Sequence, residues 1–374
     1  MKRILITLLL CGFSALPLGG REYPLLPADS LIRSGIEQLY EYDREKALES
    51  FRRVIEHYPE HPVGYYLEGV ASWMYERGVH GIPPSEDTLL ARMEHTAAVA
   101  KRYTKDYPED PYGFLIFGMA QGTRARVDLA RSKWIRTVVH GYEGIRLIQR
   151  AADIEPDIPD LQMAFGAFHY YVGMSGWLTR AAASLVGLSG TRPEGKAELE
   201  FAAKHSRYAA PEAHGILLFV NGYLEDSLSV ALTYAEHLNT HYPGNPYYWS
   251  LRGDLEFAAG NAGATERSVE KIRKILPDLH LYDRKNYRTK VTYLEGLLAY
   301  HRGEYRLAGD YLKTYLEEGI EEYDFLALNA QLYLGKCSLK LNNIEKARGY
   351  FARVADEQIP GRIRQEARTM INDY

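Results

Sequence analysis

A period of 34 residues punctuates this chain, and its marks are small residues and prolines at fixed places. In a unit opening at Leu26-Pro27-Ala28, the residues Gly35, Ala47, Phe51, Val54 and Pro59 stand at positions 8, 20, 24, 27 and 32. A recurrence of this length marks a stack of supersecondary units, each packing only on its neighbours. Small residues at 8 and 20 let two antiparallel helices approach closely. A bulky residue at 24 fills the space between units. Proline at 32 ends the second helix, because it lacks an N–H and clashes with the preceding turn.

Eight such units fit the sequence. The second carries Gly69 and closes at Tyr107-Pro108; the third carries Gly118, Gly144 and Ala151 and ends at Pro156. The fourth has Gly166, Gly195, Leu199 and Ala202, and the fifth has Phe219 where glycine is expected but keeps Ala231, Ala235 and Pro243. Trp249, Gly253, Gly260 and Pro277 mark the sixth, Gly296, Gly303, Ala308 and Leu312 the seventh, and Gly335, Ala347, Phe351 and Val354 the eighth. The terminators recur as near-copies: His57-Tyr58-Pro59, Asp106-Tyr107-Pro108 and His241-Tyr242-Pro243. This spacing resembles the tetratricopeptide repeat. The resemblance implies an all-α, right-handed α-solenoid of about eight helix pairs, with a polar C-terminal helix over residues 361–373 as its cap. Regular repeats are expected over 26–61 and 212–360, and stretched ones over 62–211.

A narrower likeness sits in the middle of the chain. Tyr170-Tyr171-Val172-Gly173, Gly190-Thr191-Arg192, Gly195, Leu199, Ala202-Ala203, Glu212-Ala213 and Tyr242-Pro243-Gly244-Asn245-Pro246 carry it. They look like a group of exported bacterial tetratricopeptide proteins. They are distantly similar to eukaryotic repeat proteins associated with the mitochondrial outer surface. That group implies no catalytic residues.

In the second, third and fourth repeats, position 20 arrives about 15, 14 and 17 residues late against the 34-residue register. The three insertions, 76–92, 124–139 and 172–193, all fall between the two helices of a repeat, so they should emerge together on one edge as a crest. Gly78, Gly81 and Pro83-Pro84 predict that the first begins as a loop, with a helix starting at Ser85. The second has no breaker and should lengthen helices. The third is loop-rich and apolar, with Met174, Trp177, Leu178, Leu185, Val186 and Leu188.

The first residues read as an export leader. Lys2 and Arg3 precede the apolar run Ile4 to Leu10, and the small residues Gly19 and Gly20 follow before Arg21-Glu22. Cleavage of residues 1–20 would deliver the chain to the periplasm or outer envelope. Cys11 fits a lipid-attachment motif only loosely, and lipidation is not expected there. Cys337 is then the single remaining thiol, expected as a buried small hydrophobe. Net charge is −4, so no global positive field recruits nucleic acid.

No metalloprotease, phosphate-loop, dinucleotide or paired-cysteine zinc signature is present. His57 and His61 straddle a proline turn, and His237 and His241 close a helix end. Neither pair is expected to hold a metal, and no cofactor is implied. A helical hydrolase would need two opposed carboxylates, and the 34-residue unit argues against it. The reading is therefore a non-enzymatic scaffold for a protein or peptide partner. The 30 tyrosines suit it, since an aromatic body with a polar tip fits a half-wet groove. The inner face of such a solenoid is lined by the first helix of each pair. Projected onto this chain, it presents Tyr66, Trp73, Tyr112, Tyr170, Tyr171, Tyr223 and Tyr247, with core roles favoured for Met163 and Leu115. Tyr170 and Tyr171 are evenly balanced between groove and core. Arg124, Arg131 and Arg136 are candidates to clamp a carboxylate or other anion. The apolar insert leaves peripheral membrane contact, in a lipid-associated carrier, as the alternative.

Overall fold

The computed structural model describes residues 26–174, 189–318, 325–357 and 361–373, and every regular element among them is helical. Eight pairs follow one another: α1 (Asp29–Tyr40) with α2 (Arg44–His57), α3 (Pro62–His80) with α4 (Ile82–Asp106), α5 (Pro111–Ala130) with α6 (Trp134–Ile154), α7 (Pro159–Met174) with α8 (Arg192–His205), α9 (Ala210–Phe219) with α10 (Leu228–His241), α11 (Pro246–Ala258) with α12 (Ala262–Ile275), α13 (Leu281–His301) with α14 (Tyr305–Glu318), and α15 (Phe325–Lys340) with α16 (Ile344–Asp356). The capping helix α17 (Arg362–Asp373) ends the helical-repeat solenoid. Residues 1–25 and 175–188, which hold the expected leader and most of the apolar insert, lie outside the described residues.

The joints follow from short sequences. After α2, α4 and α10 the chain runs Tyr-Pro, two residues, then Pro. The second proline (Pro62, Pro111, Pro246) occupies the first helical position, where its missing N–H has no partner to lose. The residue before it, His61, Asp110 or Asn245, accepts a hydrogen bond from an N–H of the new helix. Each joint thus stops one helix and caps the next. Within a pair, the Phe51 ring lies where a Cβ on Gly35 would sit, and Phe351 does the same to Gly335. These are the position-8 and position-24 residues of the first and eighth units.

The stretched repeats differ from expectation in detail. The insert 76–92 holds no loop: α3 runs to His80, Gly81 alone reverses the chain at φ 87°, and α4 begins at Ile82. The insert 124–139 does lengthen α5 and α6, but a turn at Ser132 (φ 56°) separates them. In the fifth repeat, the close-approach glycine arrives three residues late. A π-turn over Val220–Leu224 resets the helical phase, so that Gly222 meets Ala231 and Leu255.

The first helix pair lies against the joints that open repeats five, six and seven, and so closes the solenoid on itself. Asp29 accepts from Nε and Nη2 of the Arg207 guanidinium, each at 2.6 Å, and from the Tyr208 hydroxyl at 2.7 Å. Asn245 donates to the Tyr40 carbonyl at 2.8 Å, and the Gly244 N–H donates to Glu41 Oε1 at 3.0 Å. Tyr42 bonds the Tyr287 hydroxyl at 3.1 Å, and the Arg44 guanidinium forms a buried ion pair with Asp283. Tyr75 of α3 stacks edge-on against His280. The interior is thus enclosed by the first repeat.

Candidate functional site

Side chains from alternate helices converge on the enclosed interior. Glu212, in the first turn of α9, is exposed, and the Tyr40 hydroxyl of α1 donates to it at 2.5 Å. Its charge also reaches Tyr66 of α3, Tyr171 of α7 and Tyr248 of α11. Burial first, and Glu212 after it, raise the pKa of Tyr40, Tyr171 and Tyr248; burial dominates the upward shift of Tyr66 as well. All four remain neutral hydrogen-bonding phenols at physiological pH. From α5, Thr123 bonds Tyr66, and Arg126 acts on Tyr66 and Tyr171 with the opposite sign to Glu212. The first helices of six successive pairs therefore share one inner wall.

Trp73 of α3 extends this wall. The guanidiniums of Arg126 and Arg77 lie 5.4 Å and 5.7 Å from its ring. Its indole N–H is buried, with no hydrogen-bond partner among the described residues. Tyr247 is 37% exposed, with the buried Lys290 ammonium 5.9 Å from its ring.

Of the seven aromatics read from sequence, Tyr66, Trp73, Tyr171 and Tyr247 are partly or largely accessible. The other three belong to the core. Tyr112 donates to Asp160 at 3.1 Å, Tyr170 to Glu225 at 2.7 Å and Tyr223 to Asp254 at 3.0 Å, and all three are buried. Burying the ring while satisfying the hydroxyl on a neighbouring repeat makes them mortar between units. Tyr170 and Tyr171, adjacent in sequence, take opposite roles. Met163 and Leu115 are buried, as their positions suggested.

The three arginines do not form a clamp. Arg131 is held by Glu86 at 3.1 Å and Asp87 at 2.7 Å; Arg136 faces the buried Asp128 at 3.6 Å; Arg124 donates to Gln121 at 2.7 Å. Each has its own partner, and for Arg131 and Arg136 the partners are carboxylates. Arg126, from the same run, is the one placed at the inner wall. Sequence alone did not single it out as a wall residue, nor Tyr40 or Glu212, because the wall exists only once the solenoid has closed; Tyr248 behind them is buried in the core.

Two histidine clusters lie elsewhere. His57 and His61 part company: His57 bonds the Arg53 carbonyl, and His61 caps α3 and packs edge-on against Tyr103. His169 of α7 bonds Glu198 of α8 at 2.7 Å, with Glu194 at 4.0 Å, and the Glu198 bond raises its pKa. These ligating atoms lie within 4.8 Å of one another, a grouping assembled across two helices and invisible to local spacing. It reads as an ion-pair clamp between them.

His237 is stacked between His214 and His241, with ring centroids 4.1 Å from each. Burial and the two neighbouring imidazoles depress its pKa from 6.5 to about 4. The folded chain therefore keeps His237 neutral while the unfolded chain protonates it. Stability from this site is complete above pH 6.5 and is lost as pH falls from there towards 4. Replacing His237 by glutamine should shrink the difference between the urea midpoints at pH 7 and pH 5. An unchanged difference would show that His237 takes no part in acid sensitivity.

A tetratricopeptide-repeat family model matches residues 329–358. No curated protein matches the sequence significantly. Among solved structures, the chain resembles the hetero-tetramer Cut9–Hcn1 of the APC/C, with 12% identity and a TM-score of 0.52 over 92% of this chain and 55% of that one. It thus spans about half the length of that chain. NprR in complex with its cognate peptide NprX matches at 11% identity and a TM-score of 0.40, over 93% of this chain and 82% of that one. A tetratricopeptide repeat protein from Parabacteroides merdae ATCC 43184 matches at 11% identity and a TM-score of 0.33, over 85% of this chain and 98% of that one.

Proposed function

We propose that this chain, a tetratricopeptide-repeat solenoid, is a non-enzymatic scaffold that holds a segment of a partner protein against the inner wall of its closed superhelix. The observation that carries the reading is the convergence of Tyr66, Trp73 and Tyr171 with Arg126 and Glu212 from successive first helices. Aromatic rings supply contact area at low entropic cost, and the opposed charges give the wall a polarity that an extended or helical peptide can follow. The Arg77 and Arg126 guanidiniums beside the Trp73 ring suit a carbonyl or carboxylate oxygen of that peptide. Tyr247 extends the apolar contact towards repeat six. Export by the leader over residues 1–20 would place this scaffold in the periplasm or outer cell envelope.

The test is a photo-reactive residue placed at Tyr171 or, as the outer control, at the exposed Thr314 of α14. Irradiation in envelope extracts should yield polypeptide adducts at position 171 and not at 314. Each central aromatic of such a contact contributes roughly 2 kcal/mol or more. Trp73→Ala should therefore weaken capture by about thirtyfold. Adducts at 314 with none at 171 would place the binding surface outside and overturn the reading.

A further inference from the structure

We propose that the outer tip of the third hairpin, where α5 turns into α6, docks on an anionic lipid bilayer. Trp134, Ile135, Val138, Val139 and Tyr142 are between 43% and 83% exposed, and Leu129 at the end of α5 is 44% exposed. On α6 they fall at i, i+1, i+4, i+5 and i+8, a single face of the helix. From Gly144 onward the same helix buries its apolar residues: Gly144, Ile145, Ile148 and Ala151 are all core. The exposed face therefore begins in the segment that the insert 124–139 adds and ends at Tyr142, just beyond it. A contiguous apolar patch on the order of a few hundred Å² is of the size that is often functional on a monomer.

The charge around the patch selects the occupant. Residues 133–146 hold Lys133, Arg136 and Arg146 against Glu143, in a chain whose net charge is −4; Arg126 faces the inner wall and Arg131 is paired with Glu86 and Asp87, so neither adds to this rim. Lys133, Arg136 and Arg146 are exposed and flank the apolar face, Arg146 one turn beyond Tyr142. Aliphatic side chains at the tip, a tyrosine at the boundary and arginine above it reproduce the order of hydrocarbon, interface and headgroup. Clustered cations favour the negative surface of a membrane. A second copy of the chain would bring the same positive rim against its own, which like-charge repulsion opposes. None of the described helices is long and apolar enough to cross a membrane, so the contact is peripheral.

Co-sedimentation with vesicles of phosphatidylcholine alone or with phosphatidylglycerol tests this, using the full chain and its Ile135→Asp/Val138→Asp variant. Any contribution from the N-terminal residues is common to both proteins. The wild type should bind the anionic vesicles, more weakly as salt rises, and the variant should lose at least tenfold in affinity with an unchanged melting temperature. Brominated lipid should quench tryptophan emission in the wild type, and Trp134→Phe should remove most of that quenching. Equal binding by wild type and variant, or no binding of anionic vesicles by the wild type, overturns the proposal. So does self-association in the absence of lipid that the variant abolishes, which would assign the patch to a second copy.

Discussion

Asp283→Ala should destabilise the fold by about 3–5 kcal/mol, the usual effect of removing one partner of a buried ion pair. Asp283 and Arg44 are 239 residues apart and both buried, and the Tyr42 ring lies 3.9 Å from the guanidinium carbon. Gly78 of α3 is pressed against both side chains, leaving no room for a larger residue or for easy access by water. Without the carboxylate, the Arg44 charge stays in the seam with no anion facing it. Relieving that burial requires the first repeat to separate from the seventh, so the variant should also show a larger radius of gyration in solution. Arg44→Met combined with Asp283→Leu removes both charges and should recover most of the loss. A single variant within about 0.5 kcal/mol of wild type would mean that the pair does not hold the seam.

Asp254→Ala should be comparably severe and should act elsewhere. Asp254, on α11, is fully buried and accepts hydrogen bonds from Tyr223 at 3.0 Å, Asn329 at 2.8 Å and Tyr293. Those donors come from the first helices of repeats five, eight and seven, so one carboxylate ties four consecutive units together. Alanine leaves three buried donors short of an acceptor, and each such orphan costs about 1–3 kcal/mol. Asn329 also donates to the Tyr293 hydroxyl at 2.8 Å, which softens the loss at that position. In a solenoid, stability is a sum over neighbouring units. Hydrogen exchange should therefore accelerate across α11 to α16 well before α3 to α6. Uniform acceleration over the whole chain would instead describe a single cooperative unit.

The contrast between these two sites explains how much could be read from sequence. The 34-residue register, the Gly35–Phe51 and Gly335–Phe351 contacts and the proline joints are local, within a unit or between neighbours, and local patterns carry them. Closure is different. Nothing near Arg44 or Asp29 announces Asp283 or Arg207, because a repeat period describes neighbour contacts and is silent on which distant units meet. The arginine run showed its charge but not its partners: Glu86 and Asp87 lie more than forty residues before Arg131. Tyr170 and Tyr171 are one helical step, about 100°, apart. A turn of that size is the whole difference between core and inner wall. The phase of each first helix is set by its packing, and in the fifth repeat by a π-turn that no 34-residue template contains.

The chain closes on itself, its first repeat lying against the joints of the fifth, sixth and seventh, and the proposed binding wall lies inside that closure. Glu45 of α2 and His280, just before α13, approach to 3.9 Å across that seam. With cysteines at these two positions and the native Cys11 and Cys337 replaced by alanine, a short bismaleimide should link them within one native molecule. The link should vanish when Asp283→Ala is added. Failure to cross-link, with both thiols shown to be reactive and the protein folded, would mean an open solenoid and would contradict the account.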